Sequence, residues 1–212
     1  MIDDKFNTQW NNSEIEQKNR ADFFDLYKAN PLPDNELLLN LPLFMKRQDL
    51  SSLLFMNDIY KQIVDVHGVI MEFGVRWGKN LALMEGLRGI YEPFNHTRKL
   101  IGFDTFEGFQ SVDDKDGKAE IIKEVAFSVA EGYENYLEQV LKYHETESPI
   151  PHKKKFELVK GDATKTLEQY LERNQHTIVA FAYFDFDIYA PTAKCIELIL
   201  DRVTKGTILG FD

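Results

Sequence analysis

The stretch from Val69 to Gly78, VIMEFGVRWG, constrains the fold of this chain more than any other. An uninterrupted apolar run is typical of a parallel strand that is buried on both faces. The glycines that follow, Gly74 and Gly78, have no Cβ, so they predict a turn where a ligand can approach the backbone closely. An amphipathic helix is expected from about Lys79. Strand, glycine turn and helix in this order form the nucleotide-binding corner of open α/β sheets.

The acid at Glu72 indicates which ligand such a corner would take. Its spacing to the glycines, Glu-x-Gly-x-x-x-Gly, differs from the Gly-x-Gly-x-x-Gly that cradles a pyrophosphate in dinucleotide binders. A carboxylate at this point would also repel a phosphate. A ligand with a cationic or amine-bearing end fits better, which favours S-adenosylmethionine and argues against an NAD-dependent oxidoreductase. On this motif alone, a plain tight turn stays open as the alternative.

Composition excludes several classes of protein. The chain has 212 residues and a net charge of −10, which suits one soluble α/β domain and disfavours nucleic-acid or anionic-membrane partners. The longest apolar stretch, Ile178 to Phe184, is too short to span a bilayer. The first ten residues lack a signal-peptide pattern. One cysteine, Cys195, excludes an internal disulfide and agrees with a reducing compartment, so we predict a cytoplasmic protein in which Cys195 packs in the core.

Two regions differ in pattern along the chain. Residues 1–65 are polar, then mixed, with short helices expected around Glu14–Lys28 and Asp49–Val66. We predict that this segment is a helical cap or an oligomerisation element, and that the apolar stretch Leu37–Phe44 contacts a neighbour in a homo-oligomer. Residues 66–212 alternate strands with helices and are predicted to form the cofactor-binding domain.

This alternation predicts a parallel sheet with right-handed crossovers. After the Val69 strand, further strands are expected at Lys99–Phe103, Phe156–Lys160, Thr177–Phe184 and Thr207–Phe211. Residues 110–155 form a long polar excursion with one helical stretch, Ala130–Tyr143, which suggests a lid or a substrate-binding element. The basic run His152–Lys155 within it is expected to be a solvated loop.

Every expected strand ends in or next to an acid. In chain order these acids are Glu72, Asp104, Asp162, Asp185 and Asp212. Because ligands of open α/β sheets bind outside the carboxyl ends of the strands, the five acids should gather at one edge. Single acids at strand ends are common turn chemistry, but five in succession favour a functional site.

Individual roles follow from position. Asp104, after the second strand, is placed to accept hydrogen bonds from ribose hydroxyls, with a helix cap as the alternative. Asp162 is placed near an adenine edge, with an N-cap before the next helix as a nearly equal alternative. Asp185 and Asp187 point to the same side if the strand continues, and with Asp212 they form an oxygen-rich cluster suited to Mg²⁺. A set of caps is the alternative there, because uncompensated carboxylates repel.

Four segments resemble a known family. MEFGVRWGKNL, IGFDTFEGF, VKGDATKTL and YFDFDIYAPT are similar to motifs of the macrocin O-methyltransferase (TylF-like) family, which are class I sugar O-methyltransferases dependent on S-adenosylmethionine. The resemblance covers residues 65–212, with Thr105 in place of the family's usual serine. It implies a Rossmann-like α/β fold with a mainly parallel sheet, behind an N-terminal helical cap.

The resemblance also implies a reaction and its residues. The family moves a methyl group from the sulfonium to a hydroxyl of a sugar or glycosylated small molecule with the help of magnesium. Cofactor-binding positions are Glu72, Gly74, Gly78, Asp104, Thr105 and Asp162. Asp185, Asp187 and Asp212 fall at the metal, and Asp185 or Asp187 is expected to be the catalytic base.

One departure from the family concerns the C-terminal end. In the family, the fifth strand continues into a second acid and two further strands, whereas this sequence stops at Asp212. The expectation is therefore a sheet that lacks its C-terminal strands and a metal site that lacks a ligand. The alternative to an enzyme is a truncated cofactor-binding module without turnover.

Overall fold

The computed structural model describes residues 13–107, 129–186 and 188–212. These residues divide into two compact units, one ending at Phe55 and the other beginning at Met56. The predicted boundary at residue 65 lies ten residues further along, so the functional division of the chain stays a prediction.

The unit that ends at Phe55 is helical. Helix α1, Glu14–Lys28, begins with a reciprocal capping box in which the Ser13 side chain accepts from the Glu16 backbone and Glu16 accepts from Ser13. Helix α2, Asp34–Leu39, and a 3₁₀ helix, Leu41–Phe44, follow and were not expected from the sequence. None of their residues is buried. Helix α3, Arg47–Ile63, begins in this unit and ends in the next.

The second unit is built on a parallel sheet of five described strands. In chain order they are β1 Val69–Phe73, β2 Leu100–Asp104, β3 Phe156–Lys160, β4 Val179–Phe184 and β5 Val203–Phe211. Their order across the sheet is β3-β2-β1-β4-β5, and every neighbouring pair is parallel. The predicted α/β class and the mainly parallel sheet are confirmed. The sheet order reverses between β1 and β4, which is where ligands bind in such folds.

Helices cover both faces of this sheet. They are α4 Lys79–Tyr91, α5 Tyr133–Thr146, α6 Ala163–Arg173 and α7 Tyr189–Ile199, with a 3₁₀ turn at Leu200–Arg202. One apolar cluster joins α4, α5 and the end of α3 to the sheet, and a second joins α6 and α7 to the other face. Cys195 is fully buried in the second cluster, as predicted.

The last strand begins four residues earlier than expected. Val203 pairs with Val179, but Ile208 pairs with Phe181, so β5 carries extra residues between these two pairs. Gly206 adopts a positive φ of 97° there, and the Thr207 hydroxyl donates to the Val179 carbonyl at 2.6 Å. Such a bulge is not visible in an apolar pattern, because its residues are mainly polar.

The basic run at the end of the excursion is not a solvated loop throughout. Lys155 is only 1% exposed, and its ammonium donates to Glu145 of α5 at 2.5 Å. The same carboxylate accepts from Arg88 of α4, so two buried cations share one acid. Removal of one partner from a buried pair leaves an uncompensated charge, so this network ties α5 firmly to α4. The expectation for Lys155 was therefore wrong.

Candidate active site

A row of stacked phenylalanine rings lies along the carboxyl edge of the sheet. The phenylalanines at the ends of four strands stack with ring centroids 5.1, 4.8 and 5.3 Å apart. In sheet order they are Phe103, Phe73, Phe184 and Phe211. Side chains alternate between the faces of a sheet, so the neighbours of these rings in sequence lie on the opposite face, toward α4. Those neighbours include most of the predicted acids.

Glu72 lies at the centre of this edge and is only 3% exposed. One carboxylate oxygen accepts from the Asn80 side-chain amide of α4 at 2.9 Å. The other oxygen and the Asn80 amide oxygen are buried without a hydrogen-bond partner among the described residues. When Glu72 is ionised, both of these buried oxygens are acceptors without a donor, which leaves a place for a ligand that donates hydrogen bonds. Asn80 was missed by sequence reasoning, because only the docking of α4 brings it to Glu72.

The protonation of Glu72 follows from its surroundings. Burial raises its pKa to about 8, and the nearby negative charges of Asp185 and Asp104 add to the increase. The hydrogen bond from Asn80 and the charge of Lys79 act in the opposite direction but are outweighed. The protonated form of Glu72 is therefore favoured near neutral pH in the ligand-free protein. A cation next to it would favour its ionised form.

The two glycines after β1 make room for protein rather than directly for a ligand. Gly74 has φ 92°, and an added Cβ would lie 2.1 Å from the Asp185 carbonyl oxygen. Gly78 has φ 77° at the start of α4, and its Cβ would lie 2.3 Å from the Leu137 side chain of α5. The expected turn is confirmed. A Cβ at Gly74 would meet backbone and not open space, so the glycine is required by the protein itself. The cofactor-binding roles of Gly74 and Gly78 stay predictions.

Asp104 clamps two loops together. Its two carboxylate oxygens accept from the backbone N–H of Arg76, at 2.7 Å, and of Phe106, at 2.5 Å. Both donors have positive φ, 49° and 58°, so this carboxylate holds two strained turns in place. Each oxygen keeps a second lone pair. A ribose hydroxyl would have to donate to one of these remaining lone pairs, and that contact stays a prediction.

We expect Asp104→Ala to weaken binding of S-adenosylhomocysteine at least tenfold, because two hydrogen bonds to a charged acceptor are lost. Loss of the hydrogen bonds that Asp104 makes to the two loops would also weaken binding. To separate the two causes, calorimetry compares S-adenosylhomocysteine with an analogue that lacks the ribose hydroxyls. The original protein should bind a 2′,3′-dideoxyribose analogue about tenfold more weakly than S-adenosylhomocysteine. The variant should bind both equally. A variant that still distinguishes them would place the ribose contact on another residue.

Two further predicted cofactor positions lie beside Asp104. The Gly161 N–H donates to the Asp104 carbonyl at 2.8 Å, which brings Asp162 to this end of the edge. Asp162 is the N-cap of α6 and accepts from the Thr164 backbone at 3.0 Å. Burial opposes its ionisation, but hydrogen bonds from Thr164 and Lys165 outweigh that cost and hold its pKa below the ordinary range. The capping alternative is observed, and a cofactor role for Asp162 or Thr105 stays a prediction.

The predicted metal ligands are only partly described. Asp185 and Asp212 directly follow Phe184 and Phe211, which pair across β4 and β5, so they are neighbours at the ends of adjacent strands. Asp187 lies outside the described residues. Within the described residues, no group of three or more histidine, cysteine, aspartate or glutamate side chains is arranged to hold a metal ion. The magnesium site thus stays a prediction.

Tyr183 connects this acidic pair to the rest of the edge. Its hydroxyl donates to a carboxylate oxygen of Asp212 at 3.0 Å. Burial raises the pKa of Tyr183 well above its usual value, and the negative charges of Asp212, Asp185 and Glu72 raise it further. This tyrosine therefore remains a neutral donor. The sequence offered a signal for it, since Tyr183 lies two residues before Asp185 on the same side of β4.

A parallel sheet with a glycine turn after its first strand and acids along its carboxyl edge is the arrangement of class I methyltransferases that use S-adenosylmethionine. No protein-family model matches the sequence, and no curated protein sequence matches it. Solved structures do match. The crystal structure of CalS11, a calicheamicin methyltransferase, is 42% identical, with a TM-score of 0.92 over 96% of this chain and 79% of that chain.

A second CalS11 structure supports the same assignment. The apo structure of CalS11, described as a TDP-rhamnose 3′-O-methyltransferase of calicheamicin biosynthesis, is 39% identical, with a TM-score of 0.82 over 96% of this chain and 80% of that chain. The O-methyltransferase NovP is 20% identical with a TM-score of 0.51, over 72% of this chain and 60% of that chain, and shows the fold alone. This chain belongs to the S-adenosylmethionine-dependent sugar O-methyltransferases, as its resemblance to the TylF-like enzymes implied.

Proposed function

We propose that this protein methylates a hydroxyl group of a sugar or glycosylated small molecule, with S-adenosylmethionine as methyl donor and Mg²⁺ as a required ion. The observation that carries the proposal is the gathering of Glu72, Asp104, Asp185 and Asp212 at one edge of the sheet, at the point where the strand order reverses. The similarity to CalS11 supports a sugar acceptor. TDP-rhamnose, the sugar nucleotide after which that methyltransferase is named, is the first compound to test.

The residues at this edge have different roles, which follow from their different surroundings. Glu72 and Asn80 offer two buried oxygens to the amine of the methionine end, and the cationic cofactor would favour the ionised form of Glu72. Asp104 holds the loops on either side of the adenosine and offers its free lone pairs to the ribose. Asp185, or Asp187 beside it in sequence, accepts the proton of the sugar hydroxyl as its oxygen attacks the methyl carbon.

The donor chemistry of the edge fits magnesium. Asp185 and Asp212 supply carboxylate oxygens from adjacent strands, and hard divalent cations prefer oxygen ligands. Zinc would favour nitrogen and sulfur donors, and the cysteine of this chain, Cys195, is buried on the other side of the sheet. A bound cation would lower the pKa of the sugar hydroxyl.

We expect Asp185→Asn to lower turnover by about 10²-fold or more, because an amide cannot accept the proton and is a weaker ligand for a cation. The measurement is the rate of methyl transfer to TDP-rhamnose, with S-adenosylhomocysteine affinity measured alongside. Asp201→Asn is the matched control, since it removes the same charge from an exposed 3₁₀ turn. EDTA should abolish turnover in the original protein, and added Mg²⁺ should restore it. Full activity of Asp185→Asn, or of the original protein in EDTA, would contradict the proposal.

The second candidate function is a binding module without turnover. It is favoured by the absence, within residues 13–107, 129–186 and 188–212, of a group of three or more potential metal ligands. Titration of the chain with S-adenosylmethionine, with and without Mg²⁺, separates the two functions. Binding that is indifferent to Mg²⁺, together with no methyl transfer to any sugar acceptor, would favour the module.

The segment before Phe55 is proposed to mediate self-association. Large apolar side chains are exposed along it, and they include Ile15, Leu26, Leu38, Leu39 and Leu43. Helices without a buried face gain little stability from propensity alone, so this unit needs a partner surface. Light scattering of the protein should report a homo-oligomer.

No helix in the described part of the chain is long and apolar enough to cross a membrane, and the cytoplasmic location stays a prediction.

A further inference from the structure

A glycine on the neighbouring strand leaves space for the ring of Tyr183, whose hydroxyl contacts Asp212. Tyr183 of β4 pairs with Gly210 of β5, and a Cβ added to Gly210 would lie 2.9 Å from the Tyr183 ring. The absent side chain therefore leaves the space that the ring occupies. The ring is 7% exposed, and Phe181 lies beside it with centroids 6.1 Å apart. Packing thus holds this phenol in one orientation.

The hydroxyl at the end of that ring reaches one oxygen of Asp212. The distance is 3.0 Å, and the phenol must be the donor because an ionised carboxylate only accepts. Asp212 itself is exposed and follows the last residue of β5. Its N–H donates to the Phe184 carbonyl at 3.1 Å, which anchors the backbone, and the Tyr183 hydroxyl anchors the side chain. With one carboxylate oxygen engaged by Tyr183, the other oxygen is left for a ligand.

We propose that Tyr183 is a positioning residue, which orients the Asp212 carboxylate for a divalent cation shared with Asp185. This inference rests on the magnesium requirement in the proposed function and assigns a role that the acids alone do not define. Partners that hold a metal ligand through a hydrogen bond change metal affinity by about 10- to 100-fold when they are removed. Tyr183 needs no contact with the cofactor or the sugar to have this effect.

The test measures cation affinity rather than turnover. Mn²⁺, which reports its binding by electron paramagnetic resonance, is titrated into the protein saturated with S-adenosylhomocysteine. Tyr183→Phe should raise the dissociation constant about tenfold or more. Tyr60→Phe is the matched control, because Tyr60 also donates to a carboxylate, that of Glu92, at 2.8 Å. It lies in α3, and its variant should bind Mn²⁺ as the original protein does.

A double variant shows whether Tyr183 acts through Asp212. Asp212→Asn should weaken Mn²⁺ binding, and adding Tyr183→Phe to it should cause no further loss, since the two changes affect one ligand. Gly210→Ala, which crowds the ring, should weaken binding in the same direction as Tyr183→Phe.

The outcomes separate this inference from the proposed function. If the original protein binds Mn²⁺ and Tyr183→Phe binds it equally well, the role of Tyr183 is refuted while the metal requirement stands. If the losses in the double variant add, Tyr183 acts independently of Asp212 and the inference is also overturned. If the original protein binds no Mn²⁺, the metal requirement fails and the inference fails with it.

Discussion

Gly74→Ala should destabilise the protein by about 3 kcal/mol or more and should abolish binding of S-adenosylhomocysteine. A φ of 92° costs a residue with a side chain about 1–3 kcal/mol. The new Cβ would also lie 2.1 Å from the Asp185 carbonyl oxygen, so β1 and β4 would have to separate where their carboxyl ends meet. The shift would move Asp185 and the loop that leads to Asn80. Urea unfolding and calorimetry measure the two effects.

Gly86→Ala provides the matched control for this change. Gly86 lies inside α4, and a Cβ added there meets no atom within 4 Å. Alanine should stabilise the helix by about 0.5–1 kcal/mol, with no change in cofactor affinity. A Gly74→Ala variant that unfolds at the original urea concentration and still binds S-adenosylhomocysteine would refute the structural role given to Gly74.

Glu72→Gln should stabilise the ligand-free protein at alkaline pH and weaken cofactor binding. The pKa of Glu72 rises from an ordinary value of 4.5 in the unfolded chain to about 8 in the folded protein. As the pH increases between these values, the unfolded chain loses a proton that the folded protein retains. The free energy of unfolding therefore falls across this window, by an amount on the order of 5 kcal/mol, and is constant above it. Glutamine cannot ionise, so the variant should lack this contribution.

Urea unfolding from pH 5 to pH 9 measures the difference between the two proteins. Near pH 5 they should be about equally stable, and near pH 9 the variant should be more stable by a few kcal/mol. S-adenosylmethionine affinity should decrease at least tenfold in the variant, because the amine of the cofactor would meet an amide instead of a carboxylate.

Glu85→Gln is the control that separates stability from binding. Burial and the neighbouring Glu145 raise the pKa of Glu85 as well, so its variant should also alter the pH dependence of stability. Glu85 belongs to the buried network with Arg88, away from the acids of the carboxyl edge, so cofactor affinity should be unchanged. Equal affinity loss in both variants would show that the effect on binding is indirect. Unchanged pH dependence in Glu72→Gln would mean that Glu72 ionises normally.

Much of this fold could be predicted from the sequence, because the signals for it are local. The apolar run before Gly74 is long enough to indicate a buried strand, and its alternation with amphipathic helices requires a parallel sheet. The chain direction of a parallel sheet then brings all strand ends to one edge, so the gathering of Glu72, Asp104 and Asp185 also followed. Element boundaries were less accurate where bulges occur, as at Gly206 in β5.

The neighbours of particular residues required the tertiary structure. Gly74 makes room for the Asp185 carbonyl. The strand pattern places both positions at one edge of the sheet, but it does not show that their backbones come into contact there. Lys155 occurs in a basic run that resembles a solvated loop, yet it is buried because Glu145 and backbone carbonyls of its own loop accept its hydrogen bonds.

The sequence by itself determined the class of fold and the edge of the sheet at which the strand-end acids gather, because both depend on residue type and spacing along the chain. Only the tertiary structure decided how those acids are supported. Asn80 reaches Glu72 through the docking of α4, and Tyr183 reaches Asp212 because Gly210 leaves space for its ring. Burial and neighbouring charges, which set the pKa of Glu72, likewise exist only after the chain has folded.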